Sequence, residues 1–147
     1  MPVSTSIDVS FAVSGSRDAF LVELFESLLD ECWSIPTPCT HLPLGDIDSF
    51  DWTDGSLTRS EVLDLIAAKH RVGEKPGIVL AESESGRGAM FLYLGEGNLS
   101  INPAYDRLTL EASSRTTDFS WYLERLLPPM NRLETGSVES ITMSHFD

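Results

Sequence analysis

Three residue types that commonly ligate zinc fall in one short stretch: Cys32, Cys39 and His41. A structural zinc site takes four ligands, usually with paired Cys-x-x-Cys spacing, and the stretch has neither; spacing alone leaves open whether the three bind metal. A second cluster, Asp46, Asp48, Asp51 and Asp54, looks at first like a calcium loop. Counting Asp46 as position 1 puts Phe50 at 5 and Asp51 at 6, where the loop needs a ligand and a glycine. Counting from Asp51 puts Thr53, Gly55 and Ser56 at 3, 5 and 6, which fits no better. Two readings of the segment remain. One is a solvated loop with turn-forming aspartates; the other is a protein-binding loop anchored by Phe50 or Trp52, whose carboxylates select a cationic partner.

Catalytic signals are sparse. His70 falls near a predicted helix C-terminus, where a positive imidazole is favoured, His41 lies among prolines and His145 near the chain end. Structural or surface roles are expected for all three. Gly-x-Ser-x-Gly, His-Glu-x-x-His and Gly-x-x-x-x-Gly-Lys are missing from the sequence, and Gly95-Glu96-Gly97 lacks the third glycine of a phosphate loop. Some pair of carboxylates is always available among 23 acids, so a glycosidase pair is not decided by sequence. The reading is a non-enzyme with no cofactor. Asn98-Leu99-Ser100 matches a glycosylation sequon, which is idle in a cytosolic protein.

The elements that would position these residues follow from periodicity. Ile7, Val9, Phe11 and Val13 alternate with Asp8, Ser10 and Ala12, predicting a strand over 6–13. Ser16 then caps a helix over 17–32, with Phe20, Leu21, Leu24, Phe25, Leu28, Leu29 and Cys32 on one side and acids on the other. Residues 33–57 have no sustained period and predict an irregular connection with one short strand near Thr40 to Leu44. Thr58 to Glu61 form a capping box that starts a second helix, with Val62, Leu63, Leu65, Ile66 and Ala67 on its apolar side. Ile78 to Ala81 and Ala89 to Leu94 predict a hairpin, followed by strands at Leu99 to Ile101 and Leu108 to Ala112. Thr117 or Asp118 caps a third helix that Pro128-Pro129 should interrupt, with a further helical turn over Met130 to Leu133. Val138 to Phe146 closes the chain as a strand. The order β-α-α-β-β-β-β-α-β predicts one α+β domain over 1–147, with helices on one face of a mostly antiparallel sheet. An exposed edge of that sheet could pair with itself, so oligomeric state stays open.

At 147 residues and 41% hydrophobic content, the chain is long enough and apolar enough to bury one core. No uncharged apolar run reaches a membrane-spanning length, and Met1 to Ser6 lacks the segments of a signal peptide, which predicts a cytoplasmic protein. The formal charge is −13, which disfavours nucleic acid and anionic membranes as partners and favours a basic protein. Residues 1–68 hold 12 acids and two bases, a balance of −10, and residues 69–147 hold 11 acids and eight bases. Solubility alone would account for such a total. If the charge serves binding, the partner surface is expected on the outer face of the first helix, Glu23, Glu26, Asp30 and Glu31, together with Asp46, Asp48, Asp51, Trp52 and Asp54. Trp33 and Trp121 also fall outside the strongest periodic stripes.

The strand-helix opening, the central strands with Met90-Phe91-Leu92-Tyr93-Leu94-Gly95 and the helix start Thr117-Asp118-Phe119-Ser120-Trp121-Tyr122-Leu123 give an overall plan. It resembles that of the immunity proteins that bacteria make against polymorphic or contact-dependent toxins. The resemblance implies a tight binder that neutralises a cognate toxin domain, often a basic nuclease, by covering its active site or a neighbouring surface. These families share no active-site motif, so it assigns no residue a role. The alternatives are a small-molecule-binding domain or small enzyme with a pocket between sheet and helices, and a mimic of nucleic acid that presents carboxylates to basic proteins.

Overall fold

The alternation at the start of the chain produces β1 (Ser4–Val13) in the computed structural model, which describes residues 4–105, 107–110 and 113–146. Ile7, Val9 and Phe11 are buried and the residues between them only partly so. Helix α1 (Arg17–Glu31) follows, with the Ser16 hydroxyl accepting from the Ala19 N–H. Its stripe of Phe20, Leu21, Leu24, Phe25 and Leu28 is buried, as the three- and four-residue spacing requires.

The connection after α1 holds three short strands, β2 (Trp33–Ser34), β3 (Cys39–His41) and β4 (Thr53–Gly55). The sequence predicts only the middle one, because two or three residues cannot display a period. Helix α2 (Arg59–Arg71) starts at the Thr58 capping box, with both reciprocal bonds formed. Next come β5 (Gly77–Glu82), β6 (Gly88–Gly95) and β7 (Asn98–Tyr105), an antiparallel meander. The remaining elements are β8 (Thr109–Leu110), β9 (Ser113–Thr117), α3 (Phe119–Asn131) and β10 (Gly136–Phe146).

The main sheet runs β10-β1-β7-β6-β5-β3-β4, with β2 also paired to β5, and every pairing is antiparallel. The chain is therefore α+β, as expected. The strand predicted over Leu108 to Ala112 does not extend the meander. β7 already has β6 on one side and β1 on the other, so β8 turns away and pairs with β9 in a separate two-stranded sheet. Glu111 and Ala112, the end of that predicted strand, lie outside the described residues.

The prolines do not interrupt α3 either: it continues through Pro128 and Pro129 to Asn131. Pro129 has no N–H to give the carbonyl of Arg125 one turn earlier. The indole Nε1 of Trp33 donates to that carbonyl at 3.2 Å instead. Ser27 on α1 donates to the Pro129 carbonyl at 2.7 Å, tying the same turn to the neighbouring helix.

All three helices bury their stripes in one core with one face of the sheet: Ile7, Val9 and Phe11, Ile78 and Leu80, Ala89, Phe91 and Tyr93, Leu99 and Ile101. Trp33 sits in this core edge-on to Phe91, with ring centroids 5.2 Å apart. The opposite face carries Asp8, Ser10, Asn98, Ser140 and Thr142 around a shallow concavity. One buried and one wetted face is the usual arrangement of an antiparallel sheet.

Candidate functional site: a loop locked by a buried lysine

The segment between β3 and β4 contains four of the predicted partner-binding aspartates. Its organising residue is on α2. Lys69 follows Val62 and Ile66 at helical spacing, on the stripe that faces inward, and its side chain is buried with them. From there its ammonium donates to the carbonyls of Pro43 at 2.7 Å and Asp46 at 2.9 Å and pairs with Glu74 Oε1 at 3.1 Å. All three ammonium protons are thus used, which a buried lysine requires. Glu74 also accepts from the Gly45 N–H at 2.8 Å. That backbone bond, with the Lys69 bond and charge, outweighs desolvation and holds its carboxyl below the usual range.

Asp46 turns its carboxylate inward along the loop. Its two oxygens accept from the N–H groups of Phe50 at 3.0 Å and Asp51 at 2.8 Å. They support Phe50 at φ +53°, a left-handed conformation that costs a side-chain-bearing residue about 1 to 2 kcal/mol. Outside the loop, Lys75 pairs with Asp48 at 2.9 Å and stands 5.5 Å over the Phe50 ring. Thr40 donates to Asp54 at 2.6 Å across the β3–β4 pair. Trp52 is half-buried and packs inward: a Cβ on Gly77 would sit 2.9 Å from its ring and 2.8 Å from Leu42.

This framework presents three large apolar side chains to solvent: Leu44 at 57% exposure, Ile47 at 61% and Phe50 at 38%. Asp48 and Asp51 flank them, both exposed. Of the two aromatic anchors the sequence offers, Phe50 is outward and Trp52 is packing.

The predicted acids on α1 have other surroundings. Glu23 accepts from the N–H groups of Glu134 and Thr135, both at 3.0 Å, and from the Thr135 hydroxyl at 2.6 Å, fixing the turn into β10. Burial raises its pKa, but these bonds outweigh burial and lower it. Asp30 pairs with Arg59 at 2.7 Å and Glu31 with Arg132 at 2.8 Å, while Glu26 is exposed. Asp18, at the start of α1, pairs with His70 at the end of α2, and Asp30 pairs where α2 begins. The two helices are antiparallel, and those two ends of α1 are about 18 Å apart. The structure places Asp46 and Asp48 at the Lys69 end and Asp30 and Glu31 at the other, so α1 and the loop do not converge on one spot.

Elsewhere, a cavity of about 320 Å³ is lined by Glu31, Cys32, Glu82, Ser83, Glu84, Glu124 and Arg125. Burial, with Glu31 and Glu82 nearby, pushes the Cys32 thiol up, away from the thiolate form a nucleophile needs. Glu82 spends its oxygens on the N–H groups of Glu84 and Ser85. Burial and Asp54 push Cys39 up to about 11, and His41 Nδ1 bonds the Cys39 carbonyl at 3.1 Å. Among the described residues, no three His, Cys, Asp or Glu side chains are grouped to hold a metal ion, and no helix is long and apolar enough to cross a membrane.

Sequence reasoning missed Lys69, although its position seven residues after Val62 and three after Ile66 marked it as core-facing. No family model, curated protein or solved structure matches the chain significantly.

Proposed function

We propose that this chain is a binding protein of the immunity kind, which neutralises a basic bacterial toxin domain by docking its 44–54 loop on it. The observation that carries this reading is the locked loop, with Leu44, Ile47 and Phe50 exposed beside Asp48 and Asp51. Apolar side chains inside a polar rim are the usual layout of an interface core, and Phe50 supplies its aromatic anchor. A loop already fixed by Lys69, Glu74 and Asp46 loses little further freedom on binding. The net charge of −13 draws in a cationic partner and would speed encounter roughly 10 to 10³-fold at low salt.

The test starts from the neighbouring gene, which this reading predicts to encode a basic toxin domain, and is calorimetric and kinetic titration against that gene's product. Asp48→Lys with Asp51→Lys should slow association about tenfold or more and blunt its salt dependence. Ile47→Ala should mainly speed dissociation. Asp46 is left intact in this test because its carboxylate holds the loop backbone. Wild-type kinetics in all of these variants would refute the placement.

A further inference from the structure

The chain has two lysines. Lys69 is buried and locks the 44–54 loop from within; Lys75 reaches the same loop from outside, from the turn between α2 and β5. Its ammonium stands between Asp48 Oδ1, at 2.9 Å, and the Phe50 ring, 5.5 Å from the centroid. A carboxylate beside an aromatic face attracts ammonium and guanidinium groups alike, through opposite charge and the negative face of the ring. The seated ammonium therefore marks the pair as a cation site, and both members belong to the surface assigned to docking. Lys75 holds that place weakly. Its pair with Asp48 is exposed, and among the described residues its ammonium hydrogen-bonds no other group; an ion pair in water and an exposed ring contact are each worth little. Beside it, a cavity of about 210 Å³, lined by Lys75 with Glu74, Leu94 and Glu96 among others, gives the side chain room to turn away.

We infer that Asp48 and Phe50 form a cation site that Lys75 fills in the free protein, and that a lysine or arginine side chain of a basic partner replaces it on docking. The inference rests on the 44–54 loop being the docking surface, and it adds the group the partner presents and a competitor built into the chain. The competitor lowers apparent affinity by the fraction of molecules in which the site is open. A hold of one exposed ion pair and one ring contact leaves about one molecule in ten open. Removing Lys75 should then tighten binding about five- to tenfold, the opposite of what loss of an interface contact does.

The probe is an octa-arginine peptide, followed by NMR on protein carrying carbon-13-labelled lysine, in which the two lysines report separately. The Lys75 ε-methylene, shifted by the Phe50 ring in the free protein, should move to the position of an unstructured lysine as peptide is added, while Lys69 stays in place. Lys75→Met should bind the peptide about five- to tenfold more tightly than wild type. Arg17→Gln removes the same charge from another exposed side chain and should gain about twofold at most. Adding Asp48→Asn to Lys75→Met should cancel the gain. A Lys75 signal that stays fixed at the highest peptide concentration, or Lys75→Met no tighter than Arg17→Gln, would overturn the inference; sensitivity of the neighbouring gene's product to Ile47→Ala would then still uphold the docking loop. Conversely, displacement of Lys75 by the peptide, with that product indifferent to Ile47→Ala, would strike the docking reading and leave the cation site standing.

Discussion

Lys69→Met keeps much of the volume and the helix propensity of the side chain while removing the ammonium that anchors the loop. Three acceptors lose a donor: the carbonyls of Pro43 and Asp46 and the carboxylate of Glu74. Each orphaned buried carbonyl costs about 1 to 3 kcal/mol, whereas Glu74 is only partly buried and its carboxylate can turn to water. The full sum is not expected, because Gly45 still donates to Glu74 and the loop can open to water. A loss of about 2 kcal/mol in unfolding free energy follows, measured by denaturant titration. Amide exchange locates it: Gly45, Phe50 and Asp51, whose N–H groups bond Glu74 and Asp46, should lose protection while the β6 and β7 amides keep theirs. Adding Glu74→Gln to Lys69→Met should restore part of the loss by removing the unpaired carboxylate. A change below about 1 kcal/mol with loop amides still protected would refute the claim that Lys69 locks this segment.

Other consequences reach different parts of the molecule. Hydrogen bonds hold the pKa values of Glu23, Glu74 and Glu82 below the ordinary 4.5, against the desolvation that raises them. Folded, these carboxylates take up protons less readily than unfolded, so their stabilising contribution is complete above about pH 4.5 and disappears as acid titrates them. Denaturant midpoints should fall steeply below that pH, and Glu82→Gln should flatten the fall; an unchanged slope would contradict the bonding described for Glu82. At α3, Trp33→Phe removes the donor to the Arg125 carbonyl, whereas Pro129→Ala supplies one from the backbone. The two should couple by about 1 kcal/mol in a double-mutant cycle, and strict additivity would show that the indole does not substitute for the missing N–H.

Legibility in the sequence tracked the range over which each feature is determined. β1 and α1 are set by local alternation and by a cap one residue before the helix, and both appear where Ile7 to Phe11 and Ser16 to Leu28 place them. The path of α3 through two prolines depends on Trp33, 92 residues from the carbonyl it bonds, and no window of sequence contains both. The departure of β8 from the sheet depends on β1 occupying the edge of β7, a fact of topology. At the candidate site, the acidic character of the loop and the choice between Phe50 and Trp52 as anchor were readable. Which ring faces outward was not, because it follows from the close approach of Trp52 to Gly77. Glu23 looked like one more surface acid, yet its partners Glu134 and Thr135 lie more than a hundred residues on.

The most direct test of the central claim is to express the product of the gene neighbouring this chain's own in growing cells, with and without this protein: the account predicts that the neighbour carries a basic toxin domain. Wild-type protein should permit growth. Ile47→Lys with Phe50→Lys, folded to wild-type stability, should not. Equal protection by this variant, or a wild-type chain that forms no complex with that domain, would contradict a function exercised through the 44–54 loop.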